Sequence, residues 1–301
     1  MSQAVRRAAP ASPWRQLAYV MGFYVANVLV RAAPRGNADR PPVAAPPDGG
    51  DAPVRRRGQL RFWREVAYVA AFYGVYSVVR NTQGSAAVSA AHAMRNALRV
   101  IRWEELLGIY HEQALQQAFL GNRIFIGFWN FFYGSFHFVV TAFALILLFK
   151  RFPARYRKYR NTLAATTGLA LVGFALFPLM PPRLLPAPYG YVDTLAQYGT
   201  LWSFDSGAMH KISNQYAAMP SLHFAWSTWS ALALIPALRR WWAKALAGLY
   251  PALTLFAIVV TANHFYLDAA GGVVVLAAGA LIGFPLAARV ERRSLAAVVT
   301  P

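Results

Sequence analysis

Six long apolar runs, at about 62–80, 125–149, 162–179, 221–238, 245–262 and 269–288, leave this chain few ways to fold. At 1.5 Å per helical residue each run crosses, or nearly crosses, a hydrocarbon layer of about 30 Å. Inside lipid a backbone must satisfy its own hydrogen bonds, which a helix does within one segment. With 57% hydrophobic and 15% aromatic residues over 301 positions, the chain is far more apolar than a soluble domain of this length needs to be. The expected fold is therefore all-α, a polytopic membrane protein with a six-transmembrane-helix core.

The net charge of +19 could indicate nucleic acid, but the basic residues do not gather on one soluble surface. They fall between the runs. Lys150, Arg151, Arg155, Arg157, Lys158 and Arg160 follow the second run, Arg239, Arg240 and Lys244 the fourth, and Arg289, Arg292 and Arg293 the sixth. The positive-inside rule makes those connections cytoplasmic, so 81–124, 180–220 and 263–268 face outward, towards the periplasm or the extracellular side of a plasma membrane. No nucleic-acid partner is expected.

Five regions follow. Residues 1–31 hold an apolar segment, Trp14 to Val30, that spans the membrane or lies in its interface. Residues 32–60 mix Pro, Gly, Ala and charge without an apolar period and read as a flexible linker. Residues 61–124 hold the first core run and an outer amphipathic helix, expected over Val88 to Phe119 and lying on the membrane surface with Arg95, Arg99, Arg102, Glu104, Glu105 and Glu112 on its polar side. Residues 125–288 form the membrane core, and 289–301 a cytoplasmic tail. No secretory leader is evident, since Arg6 and Arg7 precede Pro10 and Pro13 rather than an apolar stretch. The chain has no Cys, which excludes disulfides and thiolate metal sites.

Two motifs sit at outward ends of apolar runs: Pro220-Ser221-Leu222-His223 and Asn263-His264-Phe265-Tyr266-Leu267-Asp268. If helical, His264 and Asp268 share a face, so the carboxylate can accept one imidazole N–H and leave the other nitrogen free to attack. A second imidazole, His223, can then move a proton to or from an oxygen. Ser221, at a helix start after Pro220, offers a hydroxyl and free backbone N–H groups to an anionic oxygen. Arg183, at the outer end of the third run, could clamp phosphate or reach a lipid headgroup. His264 and Asp268 could also be half of a zinc site, but no His, Glu or Cys set at ligand spacing accompanies them. A mechanism without metal is expected, and no soluble cofactor is implied. His137, inside the second run, points into the bundle as a structural hydrogen-bonder or a site wall. His92, His111 and His210 carry no partner pattern and read as solvated surface.

On these residues the chain resembles the type 2 phosphatidic acid phosphatase superfamily, over about 125–288. Within it the chain is similar to the branch of inositol phosphorylceramide synthases and sphingomyelin synthases, and to actinobacterial proteins grouped with them. Leu222 stands where the phosphatases usually have Gly, and Ala257 and Ile258 stand where they usually have Ser-Arg. Phe177-Pro178 with Pro181-Pro182 resembles a proline motif of the synthases, and the usual phosphatase Lys-and-Arg-Pro motif is not recognisable. The resemblance implies His264 as the nucleophile of a phosphohistidine, Asp268 as its orienting partner and His223 as the acid that protonates the leaving alcohol and the base on the acceptor. It implies a lipid phosphotransferase moving a phospho-headgroup, phosphoinositol by analogy, from a phospholipid donor to a lipid or polyol acceptor. A lipid phosphate phosphatase of the same superfamily is the alternative. A lipid transporter is the alternative of another class.

Overall fold

The computed structural model describes residues 62–82, 89–198 and 215–299; the expected N-terminal segment, the linker and His210 lie outside them. Nine α-helices run through the described residues: α1 Phe62–Thr82, α2 Ala90–Leu107, α3 Glu112–Phe119, α4 Arg123–Arg151, α5 Pro153–Leu176, α6 Thr194–Tyr198, α7 Leu222–Leu234, α8 Trp241–Val260 and α9 Tyr266–Val299. Two single 3-10 turns, Pro182–Leu184 and Ala187–Tyr189, lie between α5 and α6. Among these residues there is no β-strand, only an isolated bridge between Leu179 and Ala217. The chain is all-helical, as its apolar runs imply.

Among the described residues three helices are long and apolar enough to cross a membrane: α4, α8 and the Tyr266–Arg289 part of α9. Their outer faces carry large apolar side chains that water would disfavour, among them Val139, Phe143 and Ile146 on α4 and Val274 and Leu281 on α9. Lipid is the solvent that suits such a surface.

The first run matches α1, but the third and fourth differ from their helices. The third was expected from 162, with Arg155, Arg157, Lys158 and Arg160 in a loop; instead Pro153 opens α5 at its first position and those four residues form its first two turns. Their charges still serve that end of the bundle, where Arg160 pairs with buried Glu65 of α1 and Arg155 donates to the Pro236 carbonyl at 3.0 Å. The fourth run yields only thirteen helical residues, about 20 Å, shorter than the hydrocarbon. Pro236 lies just past its end. The expected tail from 289 instead continues α9 to Val299.

Helix α7 lies within the bundle, against α4, α5, α8 and α9. Trp226 Nε1 donates to Thr167 Oγ1 at 3.0 Å and Trp229 Nε1 to the Tyr159 carbonyl at 2.9 Å, which tie α7 to α5. Helices α5 and α9 approach so closely that a Cβ on Gly279 would stand 2.2 Å from Thr166 Oγ1, and one on Gly283 would stand 2.4 Å from the Thr162 nitrogen. Small residues four apart permit this backbone contact in a membrane, where apolar packing between helices gains little from solvent exclusion.

The outer amphipathic helix is the largest departure. It breaks at Gly108, whose φ of 68° is a left-handed cap that costs glycine little, and whose N–H closes on the Glu105 carbonyl. The chain reverses there into α3, and the expected polar face is divided. Arg95, Arg99 and Arg102 stay exposed, whereas Glu104 and Glu112 are fully buried. Leu98 and Leu106 are exposed. The two glutamates have backbone partners inside, described below.

Side-chain amides then latch the segment after α5 onto these outer helices. Asn96 Nδ2 donates to the Pro178 carbonyl at 2.8 Å, Gln116 exchanges two hydrogen bonds with the backbone of Val192, and Asn130 Nδ2 donates to the Thr194 carbonyl at 2.8 Å. Prolines 178, 181, 182, 186 and 188 remove backbone donors from this stretch, so fewer groups remain to be satisfied there. The result is a fixed wall beside the two histidine motifs.

Candidate active site

His264 is not itself helical. It stands in the turn between α8 and α9, two residues before Tyr266 opens α9, while Asp268 lies in the first turn. The four-residue spacing still works, because a side chain at the third helical position reaches back to the groups before the helix start. Asp268 Oδ2 accepts from His264 Nδ1 at 3.0 Å and from the Phe265 N–H at 3.0 Å. With Nδ1 carrying the proton donated to Asp268, the lone pair of His264 lies on Nε2. His264 is 4% exposed and Asp268 fully buried, so the pair is sheltered from water.

The second motif is fastened to the first through the backbone. Ser221 N–H donates to the Asp268 carbonyl at 2.9 Å, and a Cβ on Gly272 would stand 2.6 Å from the Ser221 carbonyl oxygen. Glycine at 272 therefore lets the start of α7 rest directly on α9. Ser221 caps α7, its Oγ accepting from Phe224 N–H at 3.4 Å. The Leu222 and His223 N–H groups, next in the same turn, meet no acceptor among the described residues. They are the free donors of a helix start.

His223 stands with its ring centre 5.5 Å from that of His264. Among the described residues it makes no side-chain hydrogen bond. Its ring is held by stacking on Tyr133 at 4.3 Å and by the edge contact of His137 at 4.3 Å. Aromatic packing of this kind fixes an imidazole plane without committing either nitrogen. His137 in turn is oriented by its Nδ1, 3.0 Å from the Tyr133 carbonyl. The structural role expected for His137 thus includes bracing His223, and Tyr133, which sequence reasoning passed over as part of an aromatic run, braces it from the other side.

A family profile for the PAP2 superfamily matches residues 98–282. The chain belongs to the PAP2 superfamily. Membership points to an enzyme acting on phosphoesters, as a lipid phosphatase or phosphotransferase. No curated protein and no solved structure matches the chain. The matched span begins inside α2, earlier than the 125 expected from the motifs, so the outer helices belong to the PAP2 region too.

In this PAP2 chain Arg183 reaches the same corner but does not stand idle. Its Nε donates to Asn263 Oδ1 at 3.0 Å and its Nη1 to Asp193 Oδ2 at 2.6 Å, while its backbone N–H donates to the Ala262 carbonyl at 2.8 Å. Arg183 therefore grips the turn that ends in His264. Its Nη2 makes no bond among the described residues. His92 is exposed, as expected, whereas His111 is only half-exposed and its Nε2 is buried without a partner. Among the described residues no group of three His, Asp or Glu is arranged to hold a metal ion.

Beside His223, the side chains of Phe132, Tyr133, His137, Tyr250, Thr254, Ala257 and Ile258 close together between α4, α7 and α8 and leave no room for a water molecule.

Proposed function

We propose that the protein is a membrane-embedded lipid phosphotransferase that moves a phospho-headgroup between lipids through a phosphohistidine at His264, with its site on the outer face of a six-span core. The observation that carries this reading is the hydrogen bond from His264 Nδ1 to buried Asp268, with the unbonded imidazole of His223 beside it. His264 Nε2 attacks phosphorus and a new N–P bond forms. The departing alkoxide takes a proton from protonated His223, completing the first half-reaction. In the second half His223, now neutral, accepts the acceptor's hydroxyl proton, the acceptor oxygen attacks phosphorus, and the N–P bond breaks.

The phosphate would rest over the start of α7, where the Leu222 and His223 N–H groups and the Ser221 hydroxyl are available and the partial positive end of the helix favours an anion. The helix contributes about half a unit of positive charge there, so a full cation nearby is wanted. Arg183 is the candidate. Replacing it by Lys keeps a charge but loses the planar fork. Arg183→Lys is expected to lower kcat/KM at least about tenfold, chiefly through KM, because a bound phosphate loses a paired donor. Unchanged steady-state constants would remove Arg183 from phosphate binding.

A lipid or polyol alcohol is favoured over water as acceptor by the departures of Leu222, Ala257 and Ile258 from the phosphatase pattern. Headgroup identity follows the same resemblance, with phosphoinositol as the first candidate. The test is purified protein in lipid nanodiscs with labelled phospholipids, with and without a lipid alcohol. Label appearing on the alcohol supports transfer. Free phosphate alone makes the protein a phosphatase, and chemically intact lipid despite specific binding makes it a transporter.

A further inference from the structure

Three successive backbone N–H groups open α9, and each is taken by a carboxyl group from a different element. Phe265 N–H donates to Asp268 Oδ2 at 3.0 Å, Tyr266 N–H to Glu112 Oε1 of α3 at 3.1 Å, and Leu267 N–H to Glu104 Oε1 of α2 at 2.7 Å. Glu104 and Glu112 are fully buried, and each has a second oxygen, Oε2, that is buried without a hydrogen-bond partner. Removing two carboxylates from water costs several kcal/mol each, far more than a helix start needs when a single Ser or Asp would cap it. A polar arrangement this costly, touching two of the three residues between His264 and Asp268, calls for a role.

We propose that Glu104 and Glu112 are a proton-sharing carboxyl pair that positions the His264–Asp268 turn, clamping it to the outer helices while keeping one negative charge away from the phosphate. The proposal rests on His264 being the nucleophile. A proton held between the two Oε2 atoms satisfies both orphaned oxygens at once. It also lowers the charge of the carboxyl cluster from three to two, which matters beside a site that must admit an anionic phosphoester. Burial first, and then Glu112 beside it, push the Glu104 carboxyl up to about 11; burial also raises Glu112. Burial of both carboxyls beside one another thus favours one proton held on the pair at neutral pH. The other titratable groups facing the pair are Asp268 and Tyr266 of α9, Tyr110 of the outer segment, and Tyr191.

The sign of the linkage follows. Between the unfolded carboxyl range near 4.5 and about 11, the folded protein holds a proton on the pair that the unfolded chain has lost, so stability falls as pH rises through that window. Gln at 104 reproduces the neutral acid, its oxygen accepting from Leu267 N–H and its amide donating to Glu112 Oε2.

The test compares full-length wild type, Glu104→Gln and Glu104→Ala in nanodiscs, reading kcat and KM, the pH dependence of Tm, and the side-chain 15N signal of His264. Glu104→Gln is expected to keep kcat and the His264 signal near wild type and to flatten the fall of Tm with pH. Glu104→Ala is expected to shift the His264 signal and to lower kcat about a hundredfold with KM little changed, as a displaced nucleophile does. A His264 signal unmoved in Glu104→Ala overturns the positioning role, and a Tm slope unmoved in Glu104→Gln overturns the shared proton even if the Ala variant does not fold. A moved His264 signal in a protein whose wild type turns over no phosphoester would uphold the positioning and sink the function.

Discussion

In the His264→Gln variant, phosphoester turnover is expected to fall at least about ten-thousand-fold, and covalent labelling by a phosphorus-labelled donor to vanish, since a residue that forms the intermediate has no substitute. Gln is the informative replacement because it is of similar length, polar and unable to form a stable phosphoramidate intermediate in the imidazole's place. His264 is 4% exposed and its Nδ1 bond is made to Asp268, so a Gln amide N–H can keep that carboxylate occupied and the turn can remain folded. Loss of activity with unchanged Tm and unchanged lipid binding then isolates the nucleophile. Acid-labile, base-stable label in wild type would identify the N–P bond. Retained turnover in His264→Gln would overturn the phosphohistidine mechanism outright. A parallel His223→Gln variant separates the two proton roles: a donor with a good leaving group should still label His264, while release to an alcohol slows, because only the second half-reaction then needs the missing base.

Much of this site is legible in the sequence because its chemistry is local. His264 and Asp268 lie four residues apart, and Ser221 and His223 two apart, so each half forms from a single turn whatever the rest of the chain does. Even so, the spacing misstates its own cause: the pairing does not come from two side chains on one helix face but from an acid in the first turn reaching back past the helix start. The supporting residues are illegible for a different reason. Glu104 and Glu112 bond to backbone N–H groups 163 and 154 residues away, and nothing in a basic, amphipathic stretch distinguishes a glutamate facing water from one buried on a distant helix start. The one local clue is Gly108 after Leu107, a helix stop that splits the stretch and turns Glu112 back towards Glu104. Tyr133 was hidden likewise; His137 stood out as an ionisable residue inside an apolar run, but its contact with His223 did not. The runs themselves were read well for type and poorly for ends: apolarity says where lipid or core is, whereas the charged first turns of α5 and the short α7 are set by Pro153 and by Pro236, a residue past the helix.

Asp268→Asn separates charge from geometry more cleanly than any other change in this site. Both donors that reach the Asp268 side chain, His264 Nδ1 and Phe265 N–H, converge on the one oxygen Oδ2, and Oδ1 is buried with no partner. An asparagine can therefore keep both bonds with its single carbonyl oxygen, and its amide nitrogen takes the place of an atom that already had none. The tautomer of His264 is preserved, with Nε2 still bare. In the proposed mechanism, what disappears is the negative charge beside an imidazole that becomes cationic as its Nε2 bonds to phosphorus, and inside a protein that charge acts through a medium far less screening than water. The expected result is a fall in kcat of about a hundred- to ten-thousand-fold at nearly unchanged KM, since the ground state carries a neutral imidazole and gains little from the carboxylate. Stability should change by no more than about 1–3 kcal/mol, the cost of the buried amide N–H left without an acceptor. Asp268→Ala is the control that loses geometry as well: it frees both donors, unpins the Phe265 N–H at the start of α9, and should cost Tm in addition to kcat. If Asp268→Asn and Asp268→Ala lower kcat equally, orientation and not charge is what Asp268 provides; if Asp268→Asn turns over like wild type, the imidazole never becomes cationic in the rate-limiting step and the attack by His264 is not the step that Asp268 serves.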